Sequence, residues 1–180
     1  IVDEVGKNFE PGRMRSTGNK LDFALTNEGF FTIETPEGER FTRNGHFEID
    51  SEGRIVTDDG YFVLGEKGVI TAKNGSVEVN ESGQVYVDGI ISDSFRLVKF
   101  RHQHQLQKLG RGFFAPVNID DLPKISKDIQ IRQGMLEDSN VNSMLEMTRM
   151  ISATRAYESV HKAISRIDRL NEKAISLVQA

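Results

Sequence analysis

Any chemistry in this chain would have to come from its four histidines, its paired carboxylates, its hydroxyls or its glycine-rich turns, because it has no cysteine. That absence removes disulfides, thiolate metal sites and a cysteine nucleophile. His102 and His104 stand two residues apart, which on a strand puts both rings on one face. A metal would need two further ligands, and the sequence offers no obvious third, so the pair reads as surface residues. Asp58-Asp59 and Asp120-Asp121 resemble the acid and base of a hydrolase, which need two carboxylates converging at roughly 5 to 10 Å. Both pairs occupy turn or connector positions, where Asp serves by bonding the local backbone. No serine lies in a G-x-S-x-G elbow, and neither G-x-G-x-x-G nor G-K-[ST] occurs to cradle a phosphate. His46 follows the Asn44-Gly45 turn and His161 borders a helix seam, positions of structural rather than ligating residues. Met144, Met147 and Met150 have helical spacing and read as packing, not as a soft-metal site. No catalytic, cofactor or metal site is therefore expected.

The composition sets wider limits. The 180 residues carry a net charge of −4, with no polybasic tail and no apolar run near the ~20 residues needed to span a bilayer. Nucleic-acid binding and membrane insertion are not expected. The sequence opens at Ile1 without Met and without a signal-peptide pattern, so the chain is expected to be truncated at its N-terminus.

The elements that would position functional residues follow from periodicity. Residues 1–20 hold few apolar positions, with Pro11-Gly12 and Arg13 and Arg15, and read as an extended approach segment. From Leu21 the chain alternates apolar and polar residues, and Gly29, Gly38, Gly45, Gly53, Gly60, Gly68, Gly75, Gly83 and Gly89 recur at intervals of about 6 to 9. Asn44-Gly45, Asn74-Gly75 and Asp59-Gly60 are turn pairs of the kind that accept positive φ. Residues 21–115 are thus expected to form an antiparallel β meander, curled into a barrel-like domain or a sandwich. Within it, residues 99–112 are locally basic, with Lys99, Arg101, His102, His104, Lys108 and Arg111 between Phe100 and Phe113. This stretch is either a solvated face or a surface for an acidic partner or anionic wall polymer. Residues 116–141, with Pro116 and Pro123, read as a connector.

Residues 142–180 are expected to form one long helix. Met150, Ala153, Tyr157, Val160, Ile164, Ile167, Ala174 and Val178 follow 3,4 spacing, broken at Asn171, and make one apolar stripe. Ser143 and Glu146 have the form of a capping box. Glu158 and Lys162 form an i,i+4 pair worth only about 0.2 to 0.5 kcal/mol, so apolar burial must hold this helix in place. At about 1 kcal/mol per seam residue, the stripe carries roughly 8 kcal/mol of association energy. The eight residues are the expected assembly interface.

Several motifs in order resemble one family. Thr17-Gly18-Asn19, Leu21-Asp22-Phe23-Ala24-Leu25 and Gly29-Phe30-Phe31 resemble the opening signature of the flagellar basal-body rod and hook proteins. Arg43-Asn44-Gly45 with Phe47, then Asp50, Gly53-Arg54-Ile55-Val56-Thr57 and Asp59-Gly60, resemble its sheet motif. Gln133-Gly134, Leu136-Glu137, Ser139-Asn140-Val141, Glu146-Met147 and Arg155-Ala156-Tyr157-Glu158 resemble its C-terminal helix motif. The resemblance implies an axial subunit exported through the flagellar channel into a periplasm-spanning rod, with terminal helices paired in the tube's inner wall. Its partners would be copies of itself and neighbouring rod and hook subunits, with peptidoglycan or ring proteins as further contacts. The short 65–100 region points to the proximal rod, with the distal rod next. Two other classes compete: a small β-sheet polysaccharide or peptidoglycan-binding module using the stretch from Phe100 to Phe113, and a hydrolase using acidic residues. No Trp and only three Tyr make poor material for stacking sugars.

Overall fold

The short apolar runs between turn residues become sixteen strands followed by one helix in the computed structural model, which describes residues 12–73, 75–101, 106–117, 122–140 and 143–178. Side chains in the helix are described from Met144 to Ile167. The strands are β1 (Met14–Ser16), β2 (Phe23–Leu25), β3 (Phe30–Thr35), β4 (Gly38–Thr42), β5 (Phe47–Ile49), β6 (Ile55–Thr57), β7 (Phe62–Val63) and β8 (Val77–Val79). They continue as β9 (Gln84–Val87), β10 (Ile90–Ser94), β11 (Leu97–Lys99), β12 (Leu106–Gly110), β13 (Phe113–Pro116), β14 (Lys124–Ile125), β15 (Ile131–Gln133) and β16 (Met135–Glu137). Helix α1 spans Ser143–Val178. The chain divides into two units between Asn140 and Val141.

Every ladder in the β unit is antiparallel. Local hairpins account for β3–β4, β5–β6–β7, β8–β9–β10 and β12–β13, as a meander requires. The remaining pairings join strands that are not neighbours in sequence: β7 lies on β3, β13 on β4, β11 on β3, β14 on β11, β15 on β2 and β16 on β1. The result is a nine-stranded sheet with three smaller ones, none closed into a barrel among the described residues. No helix among them is long and apolar enough to cross a membrane.

Strand β3 shows why the chain needs so much phenylalanine. Phe30, Phe31, Thr32 and Ile33 are all buried, so both faces of this strand are covered. Phe31 packs edge-on against Phe47 and Phe95, with ring centroids 5.2 and 5.5 Å apart, and Phe23 meets Phe95 at 5.2 Å. On the other side, Phe30 meets Phe100 and Phe114, each at 5.7 Å. Edge-to-face pairs of this kind add about 0.5 to 1.5 kcal/mol each beyond their area.

Two local expectations are revised. Residues 116–141 include three strands, not a bare connector, and Ile129 and Ile131 fill the main core; β14 pairs with β11, and β15 and β16 pair with β2 and β1 near the start of the chain, where no local pattern points. Asn44 and Gly45 are not among the positive-φ residues. Glycine stands at 45 for space: a Cβ there would lie 1.9 Å from the Phe23 carbonyl oxygen. Two-residue turns with positive φ at both positions are Asp88-Gly89 (51° and 79°), joining β9 to β10, and Arg111-Gly112 (49° and 80°), joining β12 to β13. Asn74 lies outside the described residues.

Candidate assembly site

Helix α1 carries the eight seam residues. Met150, Tyr157, Val160, Ile164 and Ile167 are between 51% and 73% exposed, and Ala153 is exposed too. The side chains of Ala174 and Val178 lie outside the described set. Met144 and Met147, also exposed, continue the stripe towards the N-terminus at three-residue spacing. Contiguous exposed apolar side chains are a common feature of interaction surfaces.

The polar residues of α1 are largely occupied within the helix. Thr148, Ser152, Thr154 and Ser165 donate their hydroxyls to the carbonyls of Met144, Thr148, Met150 and His161, at 2.9 to 3.0 Å. The Glu146 carboxylate accepts from Arg149 at 2.8 Å. Ser143 of the expected capping box lies outside the described side chains. The His161 ring stacks on Tyr157 at 6.2 Å, which fits its reading as a residue at the seam's edge.

The segment leading to α1 is pinned by residues from three separate motifs. Strand β16 pairs with β1, so Met14 stands opposite Glu137 and the chain passes through this point twice, in opposite directions. The Asp138 N–H donates to the Arg13 carbonyl at 2.8 Å. Arg43 reaches Glu137 Oε2 through Nη2 at 2.7 Å and Nε at 3.1 Å, with the two side chains only 13% and 12% exposed. Its Nη1 also donates to the Gly29 carbonyl, and the Gly12 N–H donates to Glu137 Oε1 at 2.8 Å. Both carboxylate oxygens are thus satisfied, which a buried ion pair requires. Spacing could not reveal this link, because 94 residues separate its partners.

Beside it sits the nearest approach to chemistry. Asp22, buried, accepts from His46 Nδ1 at 2.5 Å and from Asn19 Nδ2 at 3.1 Å. Burial opposes its ionisation, but hydrogen bonds from Thr17 and His46 and the His46 charge outweigh that and hold the carboxyl below its ordinary value. The bond to Asp22 raises His46 against the opposing effect of burial, with Asp22, Asp58 and Glu48 adding their charges. Asp58 lies 3.8 Å from His46 Nε2, and Asp59 pairs with Arg111 at 2.7 Å. Thr42, Asn44 and Thr57 complete the wall of a small polar cavity of about 170 Å³ with Asp58, Asp59 and Arg111. Each charged group there already has a protein partner, so the arrangement ties strands together and presents no free acid and base. His102, His104, Asp120 and Asp121 lie outside the described residues. The aromatic platform imagined for sugars is not formed, since Phe100 and Phe113 are buried in the two cores.

Comparison with known proteins agrees with the geometry. Residues 24–87 match the model of the flagellar hook protein FlgE/F/G D1 domain, and residues 132–177 match that of the flagellar basal body rod FlgEFG protein C-terminal region. The flagellar basal-body rod protein FlgF of Caulobacter vibrioides is 36% identical over 177 residues, which is 95% of this chain and 71% of the relative. FlgF of Mesorhizobium japonicum is 29% identical over 91% of the chain and 69% of its own length. FlgG of Buchnera aphidicola is 29% identical over 95% and 70%.

Proposed function

The chain belongs to the flagellar basal-body rod and hook family, and we propose that as a structural subunit of the rod it assembles by pairing helix α1 with helices of neighbouring subunits. Its place is the flagellar basal body, and its associates are other rod and hook subunits. The observation that carries helix pairing is the apolar stripe of α1, whose described members stay exposed from Met150 to Ile167. At about 1 kcal/mol for each of the eight seam residues, covering it would release roughly 8 kcal/mol, sufficient to hold copies together when summed along a tube.

The subunit's work in this reading is mechanical and non-catalytic: it passes torque through side-by-side contacts after export through the flagellar channel into the periplasm-spanning rod. The short 65–100 region favours the proximal rod over the distal one. Peptidoglycan or ring proteins are further partners for the outward surface.

Ile164→Asp tests the pairing, since it sets a charge in the middle of the stripe. The expected result is a cell that makes the protein but builds no rod past it, while the purified variant keeps the wild-type melting transition of its β unit. Normal rods containing Ile164→Asp would overturn helix pairing.

A further inference from the structure

Two stretches of the β unit carry opposite charge. Residues 74–95, which include β8, β9 and β10, hold Glu78, Glu81, Asp88 and Asp93 with no Lys or Arg; residues 99–117, which include the β12–β13 hairpin, hold Lys99, Arg101, Lys108 and Arg111 with no acid. Some of this charge is settled internally. Asp93 is buried, Arg111 pairs with Asp59, and Lys20 and Lys67 reach the rim of the acidic sheet at Ser76 and Ser92. Glu78 and Lys108 are exposed and have no internal ion pair among the described residues.

Each part also exposes apolar side chains. The tight Asp88-Gly89 turn projects Ile90 and Ile91, which are 74% and 52% exposed. Register puts Ile91 opposite Tyr86, and Tyr86 opposite Glu78, so the three form one row on the outer face. On the other part, the ladder slips between Lys108 and Gly110, and this bulge leaves Leu109 44% exposed. Leu109 lines a groove of about 460 Å³ with Pro36, Glu37, Arg40, Tyr61 and Phe113, a size typical of concave binding sites; Glu37 there already pairs with Arg40 at 3.3 Å. A projecting acidic knob and a largely apolar groove flanked by Lys108, on different sheets of one chain, can meet in a second copy either reciprocally about a two-fold axis or head to tail. The head-to-tail arrangement is the one that propagates along an axial structure such as the rod.

We infer that the tip of the β9–β10 hairpin seats in the groove beside Leu109 of a second copy of this chain, with Glu78 facing Lys108. The inference rests on the reading of the chain as a rod subunit. It adds to helix pairing a second contact, made by the β unit alone.

The absence of native cysteine makes the test direct. Under mild oxidation, a mixture of Ile91→Cys and Leu109→Cys chains should form mixed dimers at least about tenfold faster than a mixture of Ile91→Cys with Ile125→Cys, an exposed control position. Equal rates would overturn the proposal. Lys108→Glu should slow cross-linking, Glu78→Lys should do the same, and the two reversed chains mixed together should recover it, an outcome that loss of folding cannot produce. Failure of the mixture to recover also overturns it. Loss of retention on purified peptidoglycan by Lys108→Glu, with cross-linking unchanged, would assign the basic hairpin to the wall polymer and refute the copy-to-copy contact. In cells, Ile91→Asp chains that still enter the rod at wild-type yield would refute this docking while leaving rod membership intact; absence of the wild-type chain from rods would refute membership itself.

Discussion

Removing one partner of the Arg43–Glu137 pair should cost far more than a surface ion pair would. Both side chains are nearly nine-tenths buried, the guanidinium makes two bonds to Oε2 and a third to the Gly29 carbonyl, and Oε1 is used by the Gly12 N–H. In Glu137→Gln the amide oxygen can still serve Gly12, but Arg43 keeps its charge in a low-dielectric place without a counter-charge. Stranded buried charges cost about 3 to 5 kcal/mol, equivalent to about 6 to 20 °C in melting temperature for a protein of this size. Arg43→Met strands the carboxylate and should cost a similar amount. The double variant Arg43→Met/Glu137→Leu leaves no stranded charge. It should recover most of the loss, short by about 1 kcal/mol for the Gly12 N–H that loses its acceptor. Urea unfolding followed by tyrosine fluorescence measures all four chains. Single variants costing under about 1 kcal/mol, or a double variant as unstable as the worse single, would refute this account.

His46 and Asp22 titrate in opposite senses. The raised histidine contributes stability that is fully present below its ordinary value of 6.5 and is lost as pH rises through its folded value. The lowered carboxyl contributes stability present above its ordinary 3.8 and lost as pH falls through its folded value. The pair therefore holds the β unit best between those values, and wild-type melting temperature should fall as pH rises from 6.5 through the raised folded value of His46. In His46→Gln that fall should be absent, and an unchanged pH profile would refute the linkage. Gly45→Ala should cost about 1 to 3 kcal/mol, because a methyl group 1.9 Å from the Phe23 carbonyl forces two strands apart. Urea unfolding at the wild-type midpoint would show that the contact relaxes freely.

Local features were legible in the sequence where the interaction itself is local. The 3,4 spacing from Met150 to Ile167 announced a helix, and it lies within α1. The glycine rhythm announced the hairpins, and β3–β4, β5–β6 and β8–β9–β10 follow it. What stayed hidden was long-range. Strands β14, β15 and β16 are two or three residues long and close ladders with segments far earlier in the chain. Nothing in Ile131-Arg132-Gln133 identifies Leu25-Ala24-Phe23 as its partner. The Asn44-Gly45 pair misled because glycine can be required for space as well as for φ, and a sequence does not distinguish the two reasons. The motifs did contain Arg43, Asp22 and Glu137, but only as separate signatures. That Arg43 meets Glu137, and Asp22 meets His46, is a product of the fold.

The division of labour among apolar residues follows from the same fold. Phe23, Phe31, Phe47 and Phe95 are at most 4% exposed, and truncating one to Ala should remove about 3 to 5 kcal/mol from the fold. Ile90, Ile91, Leu109 and the α1 stripe leave much of their apolar surface in water, so substituting them alters folding stability by about 0.5 kcal/mol or less. Apolar area that does little for the monomer gains its free energy only when another surface covers it. A subunit of a closed tube needs this separation, because its copies must fold before they meet and bind strongly once they do. Variants at the knob, the groove and the seam should therefore fail in assembly with melting curves unchanged, whereas core phenylalanine variants should fail in both.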